Sequence, residues 1–462
     1  MGSVFDWLKK TVFFEPKTAR NAYYIQLGFD FGTSYSKCVF RDLEKEKAYV
    51  FTFDLGGRKE FLISSTIICE NKKFSINKEN EQYPTNGLWH IKVALADLSQ
   101  RNFKSPTLSR INKVFGLVPG SKEQEAFVKA ACLFYLSRTL QFIRKGIFKQ
   151  YYEDFGKNSQ DDMYVTMAIP VSNLTDTATE DTFFEILKKA WVIACQPEPL
   201  PDTASCQEME IAFAQTSVES DESCHVYPEV SANIQPFSMS PQSPGDSSRI
   251  YFVTDVGSGT VDQCCFTLTN RKQIGERINY FSAQVFELGS GVIERRCEKE
   301  SNQGGIEYWR QQKEKNSIIN NNILNTIIRE LANELEKKIR SATFSQLKSS
   351  LKIDNKNNNN PKYIIPITTE DSIRRLVYIF FTGGGNMENP YQKSVLDALE
   401  LEFKSPIIDG TKITTTWDQR VISITIPEDI VLPEGCVDWM RRLYVSYGLS
   451  FKYENLPHNK YP

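Results

Sequence analysis

Histidine occurs only three times in the 462 residues, as His90, His225 and His458, and none pairs with a nucleophile or a metal-type ligand. The ten cysteines contain no Cys-x-x-Cys and no zinc-like Cys/His spacing. That argues against structural zinc and a disulfide framework, and for reduced thiols in a cytoplasmic setting. Fifty-five Lys and Arg against 57 Asp and Glu leave a formal charge of −2, so no basic excess points to nucleic acid as a partner. No run approaches the roughly 18 apolar residues of a membrane span, and none is expected. The opening stretch MGSVFDWLKKTVFFEPK carries a lysine pair in its middle and no small-residue cleavage site, unlike a secretory signal. Asp6 stands where a myristoylation signal needs Ser or Thr. Val4, Phe5, Leu8 and Val12 recur at helical spacing, which suits either a helix packed on its own domain or a docking helix for a partner.

What is there in quantity is alternating strand and helix pattern, over a length that calls for more than one core. Strands are expected from residue 22 (YYIQLGFDF, YSKCVFRDL, KAYVFTFDL, FLISSTIICE). A long helix is expected at 121–148, then a buried strand ending at Pro170 and helices at DTATEDTFFEILKKAWVIA and CQEMEIAFAQ. Residues 217–249, rich in Ser and Pro, read as a loop or connection. Strands restart at Arg249, a helical stretch covers about 305–350, and the polar run 354–362 reads as an exposed loop. RRLVYIFFTGGG gives a strand, Pro390 opens a helix, a strand pair falls near 411–426, and CVDWMRRLYVSYGLSF closes on a helix. Adjacent Cys264 and Cys265 lie in a strand-like run and read as packing residues.

Two phrases repeat. IQLGFDFGTSYSKCVF (25–40) and YFVTDVGSGTVDQCCF (251–266) align Asp30 with Asp255, Gly32 with Gly257 and Thr33 with Ser258, each between apolar strands. One such turn is an ordinary hairpin turn. Two suggest duplicated halves facing across a cleft. Glycines let backbone N–H groups approach phosphate oxygens, and the hydroxyls of Thr33, Ser34, Ser258 and Thr260 add donors. Asp30, Asp255 and Asp262 would repel a bare anion, but they suit a divalent cation held through retained waters beside a triphosphate. FFTGGGNMENPY (380–391) ends a strand in Gly383, Gly384 and Gly385, bare backbone on which a nucleoside can lie.

These three elements, in this order, resemble the actin-like ATPase superfamily and, within it, the nucleotide-binding domain of DnaK-type heat-shock chaperones, over roughly residues 22–451. FDFGTSYSKCVF resembles the first phosphate loop, VTDVGSGTVDQCCF the second, and FTGGGNMENPYQKSVL the adenosine motif. WHIKVALAD resembles the segment of the catalytic lysine, here Lys92. VTMAIPVSNLTDTATEDTFFEIL, FELGSGVIERRC and RRLYVSYGLS resemble its strand-Pro-helix segment, the turn after the second loop and the closing helix. ELEKKIRS matches the adenine-contacting Glu-x-x-Lys-Arg-x-x-Ser, placing Glu334, Lys337, Lys338 and Ser341 on one helical face.

The resemblance implies an α/β, two-lobed actin-like fold, each lobe a mixed sheet flanked by helices, with nucleotide in the central cleft. Lobe I would span 22–249 with an insert at about 51–118. Lobe II would span 250–436 with a helical insert at about 301–361, residues 437–462 would return to lobe I, and 1–21 would be an extension. ATP or ADP and Mg2+ are the implied cofactors. Gly32, Thr33, Ser34, Lys37, Gly257, Ser258, Gly259, Thr260, Gly383, Gly384, Gly385 and Asn386 would join the helix face in binding nucleotide. Asp30 and Asp255 would hold the metal, and Lys92, Asp262, Asp30 and Glu229 would serve catalysis.

Three features depart from the pattern. The acidic-Pro bridging motif is reversed in YPEVSANI, putting Glu229 at that place. The Arg expected after the glycines is absent, with Asn386 and Met387 there. KYENLPHNKYP brings no apolar linker or peptide-clamping domain, so full chaperoning is not expected. The expected function is a nucleotide switch with slow Mg-dependent hydrolysis that acts through an unidentified protein partner or client. A filament-forming relative, a small-molecule kinase and a non-hydrolysing sensor or scaffold remain as alternatives.

Overall fold

The computed structural model describes residues 20–460, apart from 85, 171–176, 199, 218–222, 239–248, 272–274, 302–303, 315–321, 351–376, 388, 403–406, 409–410, 413–416, 424 and 435–438. The chain is mixed α/β with several sheets. The first main sheet holds Tyr24–Asp30 (β1), Tyr35–Asp42 (β2), Lys47–Val50 (β3), Asp162–Ile169 (β4) and Cys224–Pro228 (β5). Their spatial order is β5-β4-β1-β2-β3. β1, β2 and β3 meander antiparallel, whereas β4 runs parallel to β1 and β5 parallel to β4.

The second sheet repeats this plan. Ile250–Val256 (β6), Val261–Arg271 (β7) and Gly275–Phe286 (β8) meander antiparallel, and Val377–Thr382 (β9) lies parallel to β6. A further parallel bridge joins Ile379 to Val421. The order β9-β6-β7-β8 is thus the counterpart of β4-β1-β2-β3. Late in the chain, Ile430–Val431 (β10) pairs with β3 and His458–Lys460 (β11) with β8, so both sheets gain an edge strand from the C-terminal part. A small four-stranded sheet (Ile67–Glu70, Lys73–Ile76, Gly87–Leu88, Thr203–Ser205) stands apart from both.

Parallel neighbours need helical crossovers, and the helices cover the sheets accordingly. Ile91–Ser99 (α1), Pro106–Phe115 (α2), Lys122–Gln150 (α3), Thr177–Ala194 (α4) and Cys206–Gln215 (α5) share one apolar cluster with the first sheet. Ser121 caps α3 by accepting from Gln124 N, and Ser205 with Glu208 forms a capping box on α5. α3 is long and apolar enough to pass for a membrane span, but 78% of its most apolar window is buried, which marks it as a core helix. Glu229–Ser238 (α6) lies between the sheets. Its Ala232 packs with Ala168, Val445 and Leu449, while Val230, Ile234 and Phe237 pack on Tyr251, Val253 and Phe266.

Gly291–Ser301 (α7), Ile306–Glu314 (α8), Asn322–Ser350 (α9) and Asn389–Glu402 (α10) follow, and Leu335, Ile339, Tyr391 and Val395 from the last two cover the other face of the second sheet. Met440–Leu449 (α11) returns to the first sheet. It sits so close that a Cβ on Gly28 would meet Ser446 O at 2.0 Å and one on Gly448 would meet Ala232 O at 2.0 Å. Either alanine would force the helix off its seat.

Some expectations are corrected. Residues 224–238, read as loop, form β5 and α6, because their buried Val226, Tyr227, Val230, Ile234 and Phe237 outweigh the Ser and Pro around them. Of the strand pair expected near 411–426, the described residues show Thr411–Lys412 paired with Ile407–Ile408, a 3₁₀ turn at Trp417–Arg420 and a bridge at Val421, while 413–416 and 424 lie outside them. Within 305–350 the described residues form two helices, α8 and α9. The helical stripe expected from Val4 to Val12 and the loop expected at 354–362 lie outside the described residues. Cys264 and Cys265 are both wholly buried and point into different apolar clusters, as alternation along a strand requires.

Candidate functional site

Each main sheet ends its first hairpin in an acidic residue at the same cleft. In β1–β2, Asp30 is cross-strand partner of Lys37, with Asp30 Oδ2 2.6 Å from Lys37 Nζ. In β6–β7, the corresponding partners are Asp255 and Asp262. The turns between them are built for bare backbone: a Cβ on Gly32 would meet Tyr35 O at 2.1 Å. The second turn is backed by the Leu288–Gly291 segment, where Gly289 N donates to Gly259 O, Ser290 N to Gly257 O and Gly291 N to Ser258 O at 2.8–3.2 Å. The two turns touch, since a Cβ on Gly259 would lie 2.7 Å from Thr33 Cγ2.

Asp30, Gly32, Thr33, Ser34, Lys37, Lys92, Glu229, Asp255, Gly257, Ser258, Thr260, Asp262 and Gly383 to Gly385 all line one cleft of about 650 Å³. Gly259 touches Thr33 from behind this lining. Asn386 lies in the 3₁₀ turn Gly384–Met387, and its side chain is outside the described residues. Glu334, Lys337, Lys338 and Ser341 stand on α9 and are not part of the lining. Glu334 is instead bonded to Arg296 and lies 2.9 Å from Lys338.

Lys92 enters on α1, whose N-cap His90 has φ 61, a strained left-handed conformation for a non-glycine residue. Lys92 Nζ donates to Glu229 Oε2 at 2.5 Å, with side-chain exposures of 4% and 19%. Burial alone would lower the Lys92 pKa, but the charges of Glu229, Asp30 and Asp262 raise it above the ordinary lysine value. Asp255 is pushed up to about 7, first by burial and then by Glu229, against the opposing pull of Asn233 and Lys37. Asn233 Nδ2 donates to Asp255 Oδ2 at 2.6 Å from one turn beyond Glu229 on α6. Burial, Glu229 and Asp255 together drive Asp262 well above the usual carboxylate range.

The glycine turn after β9 closes the wall. Thr382 is cross-strand partner of Asp255, and Gly383 adopts φ 84 with its would-be Cβ 2.2 Å from Asp255 Oδ1. Only glycine fits there. Arg442 of α11 reaches Gly384, its Nε 2.8 Å from that would-be Cβ, with the guanidinium 4.1 Å from the ring centroid of Trp439. Trp439, Arg441 and Arg442 also line the cleft.

Sequence reasoning missed these three residues, and with them Gln82, Asn233, Glu294 and Lys313. Asn233 had a signal, its i, i+4 spacing from Glu229. Trp439, Arg441 and Arg442 stand in the closing stretch CVDWMRRLYVSYGLSF and Glu294 in FELGSGVIERRC, both read there without a site role, whereas Gln82 and Lys313 come from segments with no local pattern.

The lining carries seven carboxylates (Asp30, Asp97, Glu229, Asp255, Asp262, Glu287, Glu294) against five cations (Lys37, Lys92, Lys313, Arg441, Arg442). A polyanion would be repelled unless a cation came with it. Asp30 Oδ1 and Asp262 Oδ1 are buried without a hydrogen-bond partner, and such an ion's waters would satisfy them. Among the described residues no group of three or more His, Cys, Asp or Glu is placed to hold a metal ion. A scan against protein-family models finds no match to this chain, and a search of curated proteins finds none.

Proposed function

We propose that the chain binds ATP or ADP with Mg2+ in this cleft and hydrolyses ATP slowly, as a two-lobed actin-like nucleotide switch read by a partner protein. The observation that carries this reading is the duplicated plan: two sheets of matching strand order each present an acidic strand end and a small-residue turn to one cleft. Magnesium, when bound, neutralises triphosphate charge.

The chain's own residues supply the rest. The turns at Gly32–Ser34 and Gly257–Thr260 offer backbone N–H groups and hydroxyls to the phosphates. Asp30 and Asp255 hold the ion's waters. Lys92, kept protonated by its acidic neighbours, faces the growing charge of phosphoryl transfer, a reaction that needs positioning and charge neutralisation more than covalent help. Asp262 or Asp30 accepts a hydrogen bond from the attacking water. The base rests on Gly383–Gly385, where Arg442 and Trp439 give it a flat cationic and aromatic neighbour in place of the Arg that the sequence lacks after the glycines. Because α6 and α11 touch both sheets or their helices, a change in the angle between the sheets on binding is passed along them to the surface.

The test is Mg-dependent ATP binding and turnover in purified protein, compared with the Lys92→Ala, Asp255→Ala double variant. Loss of both is expected; undiminished binding and turnover rejects this site.

A further inference from the structure

Gln82 belongs to none of the motifs above, yet it lines the cleft where the two turns meet. It is 3% exposed, and its Nε2 lies 2.5 Å from Ser34 Oγ, 2.7 Å from Ser258 Oγ and 2.7 Å from Tyr83 Oη. One amide nitrogen therefore reaches a hydroxyl from each of the two turns. It has two hydrogens for three oxygens, so at most two of the three accept a full hydrogen bond at once. The main chain behind it is fixed. Gln82 O accepts from Thr66 Oγ1 at 3.0 Å, and Gln82 N donates to Glu307 Oε2 at 3.2 Å. Ser64 Oγ and Asn77 Nδ2 both donate to Glu81 O beside it. The amide is thus pre-positioned by the segment that carries the small four-stranded sheet.

Resting on the nucleotide reading, we infer that Gln82 discriminates the terminal phosphate. A triphosphate held by both turns puts its last phosphate against the hydroxyls of Ser34 and Ser258, where Gln82 already aims its N–H groups. A phosphate oxygen is a charged acceptor and outcompetes a neutral hydroxyl, because charge-assisted hydrogen bonds are about twice as strong as neutral ones. A diphosphate is one phosphate shorter and leaves this donor on the hydroxyls. Gln82 then favours ATP over ADP, and the main-chain bonds of residues 81–82 carry that choice into the small sheet.

Two variants separate this role from simple bracing of the turns. Gln82→Met keeps the length and removes the donor. Gln82→Glu keeps the bridge, since both hydroxyls can rotate to donate to the carboxylate, but opposes a phosphate. Calorimetric titration with Mg-ATP and with Mg-ADP is the measurement, alongside a thermal melt of each variant. Both variants are expected to weaken ATP about tenfold or more while ADP stays within about twofold. An equal loss for both nucleotides, or no loss, overturns the inference and leaves nucleotide binding intact. Wild-type protein that binds neither nucleotide overturns the nucleotide reading itself.

Discussion

Asp255 and Asp262 are directly opposite one another in the β6–β7 ladder, and both are buried. Residues so paired point to the same face, and like charges in that position are destabilising. The matching pair in the first hairpin is Asp30 with Lys37, which is neutralised. One hairpin therefore balances its charge and the other does not, which is where a cation has most to gain.

Asp255→Asn should accordingly stabilise the protein in the absence of Mg-ATP, and Mg-ATP should raise the melting point of the wild type but not of this variant. The substituted amide oxygen still accepts from Asn233 Nδ2, so the change removes charge and little else. Relief of about 1 kcal/mol is the expected scale, a rise of a few degrees at most. Melting curves at pH 8 with and without Mg-ATP check it. A lower melting point in both conditions would mean that the acid pair is structural.

Lys92 is buried and Glu229 half-buried, and the two form an ion pair whose members depend on each other. Lys92→Met strands Glu229 beside Asp262 and Asp255, and breaking such a pair costs about 3–5 kcal/mol. Adding Glu229→Gln removes the stranded charge and should restore most of the stability. Turnover should stay down about a hundredfold or more in both variants, because neither has the cation. Urea unfolding and steady-state ATPase assays read the two effects separately. A double variant as unstable as the single one would show that packing, not charge, is what Lys92 contributes.

The turns were legible in sequence because their signal is local. Asp30 with Gly32 and Asp255 with Gly257 sit at the ends of apolar runs, and a strand-end acid followed by small residues can be read without knowing its surroundings. Lys92 was legible only through resemblance, since an isolated lysine on an apolar helix has no signature of its own. Glu229 sits at the head of α6, and that helix was hidden by composition: Ser231, Gln235 and Pro236 lower its apolar average although all three are buried. Gln82 could not have been found, because what defines it is the meeting of Ser34 and Ser258 from opposite sheets. On α9 the helical spacing puts the four residues on one face, but Glu334 turns to Arg296 of α7, a partner set by tertiary packing.

Asp97 adds a pH dependence. It lines the cleft on the same helix as Lys92, and its pKa is raised to about 6, chiefly by burial and also by Glu287, against hydrogen bonds from Ser105 and Asn102. The unfolded chain ionises Asp97 near the model-peptide value of about 3.9. Below that pH both states are protonated and the group contributes nothing. Between about 4 and 6 the unfolded chain gives up its proton first, so stability falls as pH rises, and the loss is complete above 6. Asp97→Asn should flatten this slope and exceed the wild type in stability only at the higher pH. Urea midpoints between pH 4.5 and 7.5 measure it; a pH-independent offset would assign the effect to packing.

Glu307 offers a test of how the cleft opens. Its Oε2 accepts from both Gln82 N at 3.2 Å and Tyr83 N at 3.1 Å, which ties α8 to the segment below the small sheet. Arg310 Nε holds Glu307 Oε1 at 2.8 Å and fixes its orientation. Hydrogen bonds to a charged group contribute about 1.5–3 kcal/mol, so two of them form a latch that must break before the segment lifts. Glu307→Ala should speed release of a fluorescent ATP analogue by about tenfold, with its association rate changed far less, because affinity differences between variants of one site fall mostly on the dissociation rate. Arg310→Ala, which loosens the carboxylate without removing it, should give a smaller acceleration in the same direction. Stopped-flow chase of the bound analogue by excess ATP measures both. Equal acceleration of binding and release would mean that Glu307 shapes the entrance without latching it, and unchanged release would place the exit path elsewhere in the cleft.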